Sequence, residues 1–289
     1  MPSGIIPSGY ALVAGLCNSG KSSLLNALTE TRISPVALQP ASTRMPITAI
    51  CTPGNAQICF VDTPPLESGY DWTIIDWVDV VVLVVDIKHF DRELENPVVK
   101  QFLHRARKKP VVLALGRSDF VHSKHRAAYV SRARHTNRFT DIVPVTPPLN
   151  FGIDKLKNAV LQNIPMRNRL FPRSINTLNS KRFLISEQIR TQLFSILPLD
   201  VAGETAVQVE ETSQRDGRLY VRANLIVSRA SSKGMLIGRK GQTLDRINRL
   251  SLDAIGEFTG EDCRLDLWVK VREAWPENKT DLLEFGYVC

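Results

Sequence analysis

The chain has 289 residues, 43% of them apolar and 23% charged, a balance that excludes disordered and fibrous classes and leaves room for two domains of ordinary size. Its 37 Lys and Arg against 29 Asp and Glu give a net charge of +8, which points to an anionic partner. There is no apolar run of membrane-spanning length, no basic leader and no CxxC or zinc-like spacing among the five cysteines, so a reduced, cytoplasmic protein without disulfide or structural zinc is expected.

Residues 10–14 read as a short apolar strand, and residues 21–29 place Leu24, Leu25 and Leu28 on one helical stripe. Between them, Gly15-Leu16-Cys17-Asn18-Ser19-Gly20-Lys21-Ser22 satisfies G-x-x-x-x-G-K-[ST], and the strand–loop–helix setting makes it a phosphate-binding P-loop. Its small residues let backbone N–H groups curl around phosphate oxygens, and the helix N-terminus adds its dipole. Lys21 is assigned to the β- and γ-phosphates and the Ser22 hydroxyl to Mg²⁺, with Gly15, Ser19, Gly20 and Ser23 in the cradle. Thr43, in a polar stretch before the next strand, is either a switch threonine on Mg²⁺ or an ordinary loop residue. Residues 57–61 form that strand, and Asp62-Thr63-Pro64 follows where a second acidic group is expected to hold Mg²⁺.

Valine-rich runs at 78–85 and 111–115 read as central strands of a parallel sheet, with a further strand at 142–145 and helical patterns at 98–109, 124–134 and 154–162 in the crossovers. Residues 1–164 therefore form an open, mostly parallel α/β domain. Residues 165–180, with Pro165, Pro172 and isolated Arg and Asn, read as a linker. Beyond it the order is helix, strand, strand, helix, helix, strand, the clearest strands alternating through 219–227 and 265–271.

Gly238-Arg239-Lys240-Gly241 falls between the two consecutive helices and fits the GXXG loop of KH domains, whose glycines permit a tight turn and whose middle pair clamps a nucleic-acid backbone. Lys233 and Arg246 flank it, and Met235, Ile237, Leu244 and Ile247 are candidates for the apolar groove beside it. Six cations in 228–249 face the single acid Asp245, and eleven in 100–138 face the single acid Asp119. Such clustering is the footprint of nucleic-acid binding, although the 100–138 block is equally compatible with solvated helix faces. Trp268 either stacks on a base or packs against the linker.

With these motifs, and with Lys181-Arg182-Phe183-Leu184, Leu267-Trp268-Val269-Lys270-Val271 and Phe285-Gly286-Tyr287-Val288, the chain resembles the Era family of bacterial GTPases over nearly its whole length. The resemblance implies a P-loop GTPase domain followed by an α+β type II KH domain over 181–289, GTP or GDP with Mg²⁺ as ligands, and binding to the 3′ end of small-subunit ribosomal RNA during 30S maturation. It implies no DNA partner; a monomer is the default, and weak peripheral contact with the inner face of the cell membrane stays open. Asn18 matches a family asparagine associated with potassium-assisted hydrolysis, so K⁺ joins the expected ligands. Arg117, Asp119 and Thr146 fall where the family meets the base, and Leu66 where many GTPases place a catalytic glutamine.

Three features depart from the family pattern. Gly116 brings no amide where the family has asparagine, a hydrogen bond of about 1 to 3 kcal/mol. Pro65 has no N–H where a glycine N–H senses the γ-phosphate, and only residues 66–77 separate it from the next strand. The expected function is therefore GTP hydrolysis coupled to ribosomal RNA binding, and the alternative is an RNA-binding assembly scaffold with a degenerate, poorly hydrolysing switch.

Overall fold

In the computed structural model, residues 4–31, 33–34, 46–67 and 72–285 are described, which leaves Thr43 and residues 286–288 outside. The chain divides into two units, one holding residues 1–34 and 46–178 and the other 179–289.

The first unit begins with β1 (Ile6–Ala14), α1 (Lys21–Thr29), β2 (Ile47–Cys51) and β3 (Gln57–Asp62). It continues with α2 (Ile74–Trp77), β4 (Val80–Asp86), α3 (Phe90–Leu94), α4 (Pro97–Arg105) and β5 (Val111–Gly116). It closes with α5 (Ser123–His135), β6 (Asp141–Pro144), α6 (Ile153–Leu161) and β7 (Met166–Arg167). The strands lie in the order β2-β3-β1-β4-β5-β6. β3, β1, β4, β5 and β6 run parallel, and β2 is antiparallel to β3. β3, β4 and β5 are buried along their whole length, as the unbroken apolar runs of a sheet covered on both faces require. The strand order reverses around β1, so the loops after β1, β3 and β5 converge at the carboxyl ends of the strands, where ligands bind in such sheets.

The stretch 165–178 is fastened to this unit. β7 pairs with the start of β1, the buried Gln57 side chain accepts the N–H groups of Leu170 and Phe171, and Thr177 Oγ1 donates to Thr48 O. The break between units therefore falls at 178/179, near the end of the stretch that reads as a linker.

The second unit contains α7 (Lys181–Ile196), α8 (Leu199–Gly203), β8 (Ala206–Arg215), β9 (Arg218–Val227), α9 (Ala230–Ile237), α10 (Gln242–Thr259), β10 (Cys263–Val271) and α11 (Lys279–Glu284). β8 and β9 form a hairpin closed by Asp216-Gly217, both at positive φ, the turn chemistry that matches strand twist. β10 joins β9 in parallel, giving the order β10-β9-β8. Leu219, Val221, Ala223, Leu225 and Val227 face a core with Ile185, Ile189, Leu193, Ile247 and Ile255 from α7 and α10. On the other side of the sheet, Ala206 and Ile226 are covered by Trp275 and Phe285, whose rings meet edge to face at 5.6 Å. No helix among the described residues is long and apolar enough to cross a membrane.

Candidate functional site

The P-loop takes its shape from contacts that only glycine tolerates. A Cβ on Gly15 would lie 2.5 Å from Val84 O, and Gly20 sits at φ 93° where α1 begins. The first turn of α1 carries neither an acidic residue nor a side-chain cap, so its N–H groups and positive dipole end are uncommitted. Lys21 is buried and spans the loop, its Nζ 3.1 Å from Gly15 O and 2.9 Å from Leu16 O. Burial lowers its pKa, against the opposing pull of Asp62.

Asp62 closes β3 with no exposed surface. Its Oδ2 accepts from Ser22 Oγ at 2.9 Å and from Ser34 Oγ at 2.9 Å, while Oδ1 is buried without a hydrogen-bond partner among the described residues. Burial raises the carboxyl, and the Lys21 charge and the two serine hydroxyls oppose that. An orphaned carboxylate oxygen beside a serine hydroxyl is a hard-oxygen donor set suited to Mg²⁺, so Ser22 and Asp62 fit that ion. Thr43 lies outside the described residues. Ser34, which no motif marks, is held by Asn26, whose Oδ1 accepts Ser34 N–H at 2.8 Å. Thr63 Oγ1 donates to Val13 O, Pro65 is buried, and Leu66 N–H donates to Gly15 O at 3.0 Å, so the chain after Pro64 is moored to the P-loop itself.

The loops after β5 and β6 carry the residues expected on the base side. Ser118 N–H reaches Val145 O, and Thr146 Oγ1 donates to Asp119 Oδ1 at 3.2 Å and accepts Asp119 N–H at the same distance, which fixes the carboxylate at the surface. Arg117 adopts φ 55°, and its guanidinium bonds Asp86 Oδ2 at 2.8 Å and Asn18 O at 3.2 Å. It thereby ties the base loop to the P-loop on a side where Gly116 offers only backbone, its absent Cβ 3.3 Å from Ser19 O. Asp86 is anchored in turn through its N–H to Glu93 Oε2, and burial pushes the Glu93 carboxyl up to about 7. Asp86, Glu93, Ser34 and Asn26 carry no motif; only their contacts in the folded chain connect them with the site.

Lys21, Ser22 and Asp62 thus converge with Gly15, Asn18, Ser19, Gly20, Ser23, Thr63 and Pro64 around one loop, with Arg117, Asp119 and Thr146 beside it. In the second unit, Gly238 ends α9 at φ 71°, Lys240 stands at φ 52° and Gly241 opens α10 at φ 83°. A Cβ on Gly238 would meet Thr243 Oγ1 at 2.1 Å. Arg239, Lys240 and Arg246 are exposed, and Lys233 is half-buried nearby on α9. The adjoining groove, about 430 Å³, is lined by Leu197, Pro198, Met235, Thr243 and Arg246. Met235 is exposed on this groove, whereas Ile247 belongs to the core. Trp268 is 61% exposed on β10.

A mostly parallel sheet with a P-loop and an acidic strand end, followed by a three-stranded KH unit, defines a nucleotide-binding switch protein joined to an RNA-binding module. Residues 10–117 match the family described as 50S ribosome-binding GTPase, and residues 203–276 match the KH domain. GTPase Era of Trichlorobacter lovleyi is 30% identical over 97% of both chains, and GTPase Era of Lacticaseibacillus paracasei is 28% identical over 97% of this chain and 96% of its own. Aquifex aeolicus Era, solved as a point variant with GDP and AlF4⁻, superposes with a TM-score of 0.85 at 26% identity, covering 98% of this chain and 100% of that one. Era solved with MgGDPNP and nucleotides 1506–1542 of 16S ribosomal RNA superposes at 0.87 and 25% identity with the same coverage. This chain belongs to the Era family of GTPases.

Proposed function

We propose that the chain binds and hydrolyses GTP at the P-loop, holds the 3′ end of small-subunit ribosomal RNA on its KH unit, and serves 30S subunit maturation in the cytoplasm. The observation that carries the nucleotide half is the buried Asp62 carboxylate, one oxygen on Ser22 and the other without a partner, set against Lys21 at the head of α1. Mg²⁺ held by Ser22 and Asp62 would draw charge from the β- and γ-phosphates as the bond between them breaks.

Lys21 exchanges its two loop carbonyls for phosphate oxygens, and the uncapped first turn of α1 faces the same charge. Water is the nucleophile: its oxygen bonds to the γ-phosphorus, the bond to the β-phosphate oxygen breaks, and the products are GDP and phosphate. Leu66 is apolar and buried, so its side chain cannot orient that water, and phosphate neutralisation supplies the catalysis at this end. Asn18, at φ 60° in the loop, is the residue we assign to K⁺. Asp119, held by Thr146, accepts from the guanine N1–H and 2-amino groups, which adenine cannot reproduce. Arg239, Lys240 and the tight turn that carries them clamp the RNA backbone, with bases entering the groove at Met235.

Binding of a 3′-end fragment of small-subunit RNA tests the second half. The full chain should retain the fragment and Gly238→Asp should lose it while keeping GDP affinity; equal retention by both would remove the KH loop from the interface.

A further inference from the structure

Among the described residues the sheet of the first unit ends at β6, which pairs there with β5 alone. Along this edge, between α5 and α6, runs an open trough of two adjoining hollows of about 460 and 390 Å³ that share Val130, Arg134 and Pro144. Arg126, Arg134 and Lys155 line it, with Ser131, Asn158 and Gln162 between them. Asp141 is its one acid, and that carboxylate already accepts Ile142 N–H.

Among the described residues, ion pairs engage part of the basic block and leave Arg107, Lys108, Lys109, Lys124 and Arg138 unpaired, as they do the trough cations. Lys100, Arg105, Arg117 and Arg132 each face an acid, namely Glu95, Asp76, Asp86 and Asp91. Arg126, Arg134 and Lys155 have no ion-pair partner among the described residues, Arg126 lying 5.0 Å from the Phe151 ring. At its N-terminal end α5 has no side-chain cap and no acid in its first turn, and it places Lys124 and Arg126 at the positive dipole end, whereas Arg134 lies in the last turn, where a cation is favourable. Pro144 at the edge offers no N–H to an added strand, and none of the exposed large apolar side chains lies in the trough, as insertion into a bilayer would require. What remains is a concave, hydrogen-bonding strip of uncompensated positive charge, and its complement is a phosphodiester backbone.

We propose that this trough is a second RNA contact on the GTPase unit, sequence-independent and electrostatic, that engages ribosomal RNA beyond the segment held by the KH loop. It rests on the RNA-binding function proposed above. The test compares full-length wild type, an R126Q/R134Q/K155Q triple variant and a charge-keeping R126K/R134K control that leaves Lys155 unchanged, against intact small-subunit RNA and against the short 3′-end fragment. For intact RNA, the triple variant should bind about tenfold more weakly near 0.1 M salt, with a salt slope shallower by about 2, and the lysine control should bind like wild type. The short fragment and GDP should bind all three alike. Unchanged affinity and slope for intact RNA, in a variant whose GDP binding proves it folded, would overturn the proposal, as would a loss seen only on vesicles of anionic lipid. Failure of the KH assignment is separate: it appears as full retention of the short fragment by Gly238→Asp.

Discussion

At the scale of single residues, two side chains set the character of the nucleotide site, one that no motif marks and one in the stretch where the family meets the base. Glu93 is held up to about 7 by burial, so the folded chain keeps a proton that the unfolded chain gives up nearer 4.5. Stability therefore falls as pH rises through that window and levels above it. Glu93→Gln, which keeps an oxygen for Asp86 N–H, should gain on wild type between pH 4.5 and 7, by no more than about 2 kcal/mol after screening. Urea denaturation across that range measures it, and parallel curves for the two proteins would refute the assignment. Arg117 is the other. Removing its guanidinium leaves the buried Asp86 without its ion pair and frees the base loop from Asn18 O, so Arg117→Ala should weaken GDP binding about tenfold. Arg117→Lys should recover part of the loss in fluorescent-GDP titrations, whereas equal affinity for all three proteins would leave the bridge without a role.

At the scale of elements, the sequence yields what periodicity and motif can carry. The valine runs of β4 and β5, the strand–loop–helix of the P-loop and the order of the KH unit were all legible, because each buries a continuous or alternating apolar face. The antiparallel β2, the short α3 and the pairing of β7 with β1 were not: they are brief, and long-range partners rather than local propensity hold them. The same limit explains the site. Lys21 and Asp62 announce themselves, but Ser34 and Asp86 act through contacts 28 and 31 residues away in sequence. The two glycine turns were legible, and the structure gives each a steric reason. Gly15→Ala would drive a methyl into Val84 O and Ser19 Oγ, and we expect it to abolish GDP binding by calorimetry; binding within twofold of wild type would show that the loop can yield. Trp275, buried at 1% exposure with its Nε1 on Glu204 O, anchors the C-terminal segment to β8 and β9. Trp275→Ala should cost about 3 to 5 kcal/mol of KH-unit stability in denaturant unfolding, and a loss below about 1 would mean that the segment contributes little.

At the scale of the whole molecule, two units with separate cores place a nucleotide site on one and an RNA turn on the other, and the family assignment joins them in a single activity. Beside the departures at Gly116 and Pro65 the loops are fastened to each other: Arg117 bridges to the P-loop, and Leu66 moors the following chain to Gly15 O. The family assignment makes this a site that turns over GTP rather than only holding it. The most direct measurement is phosphate release by the purified full-length chain with GTP and with ATP, in K⁺ and in Na⁺, using Lys21→Ala as the blank. GTP-selective release that is absent from the blank is the predicted result. Release no greater than the blank, from a chain that still binds GTP, would contradict it and leave an RNA-binding scaffold whose switch no longer turns over.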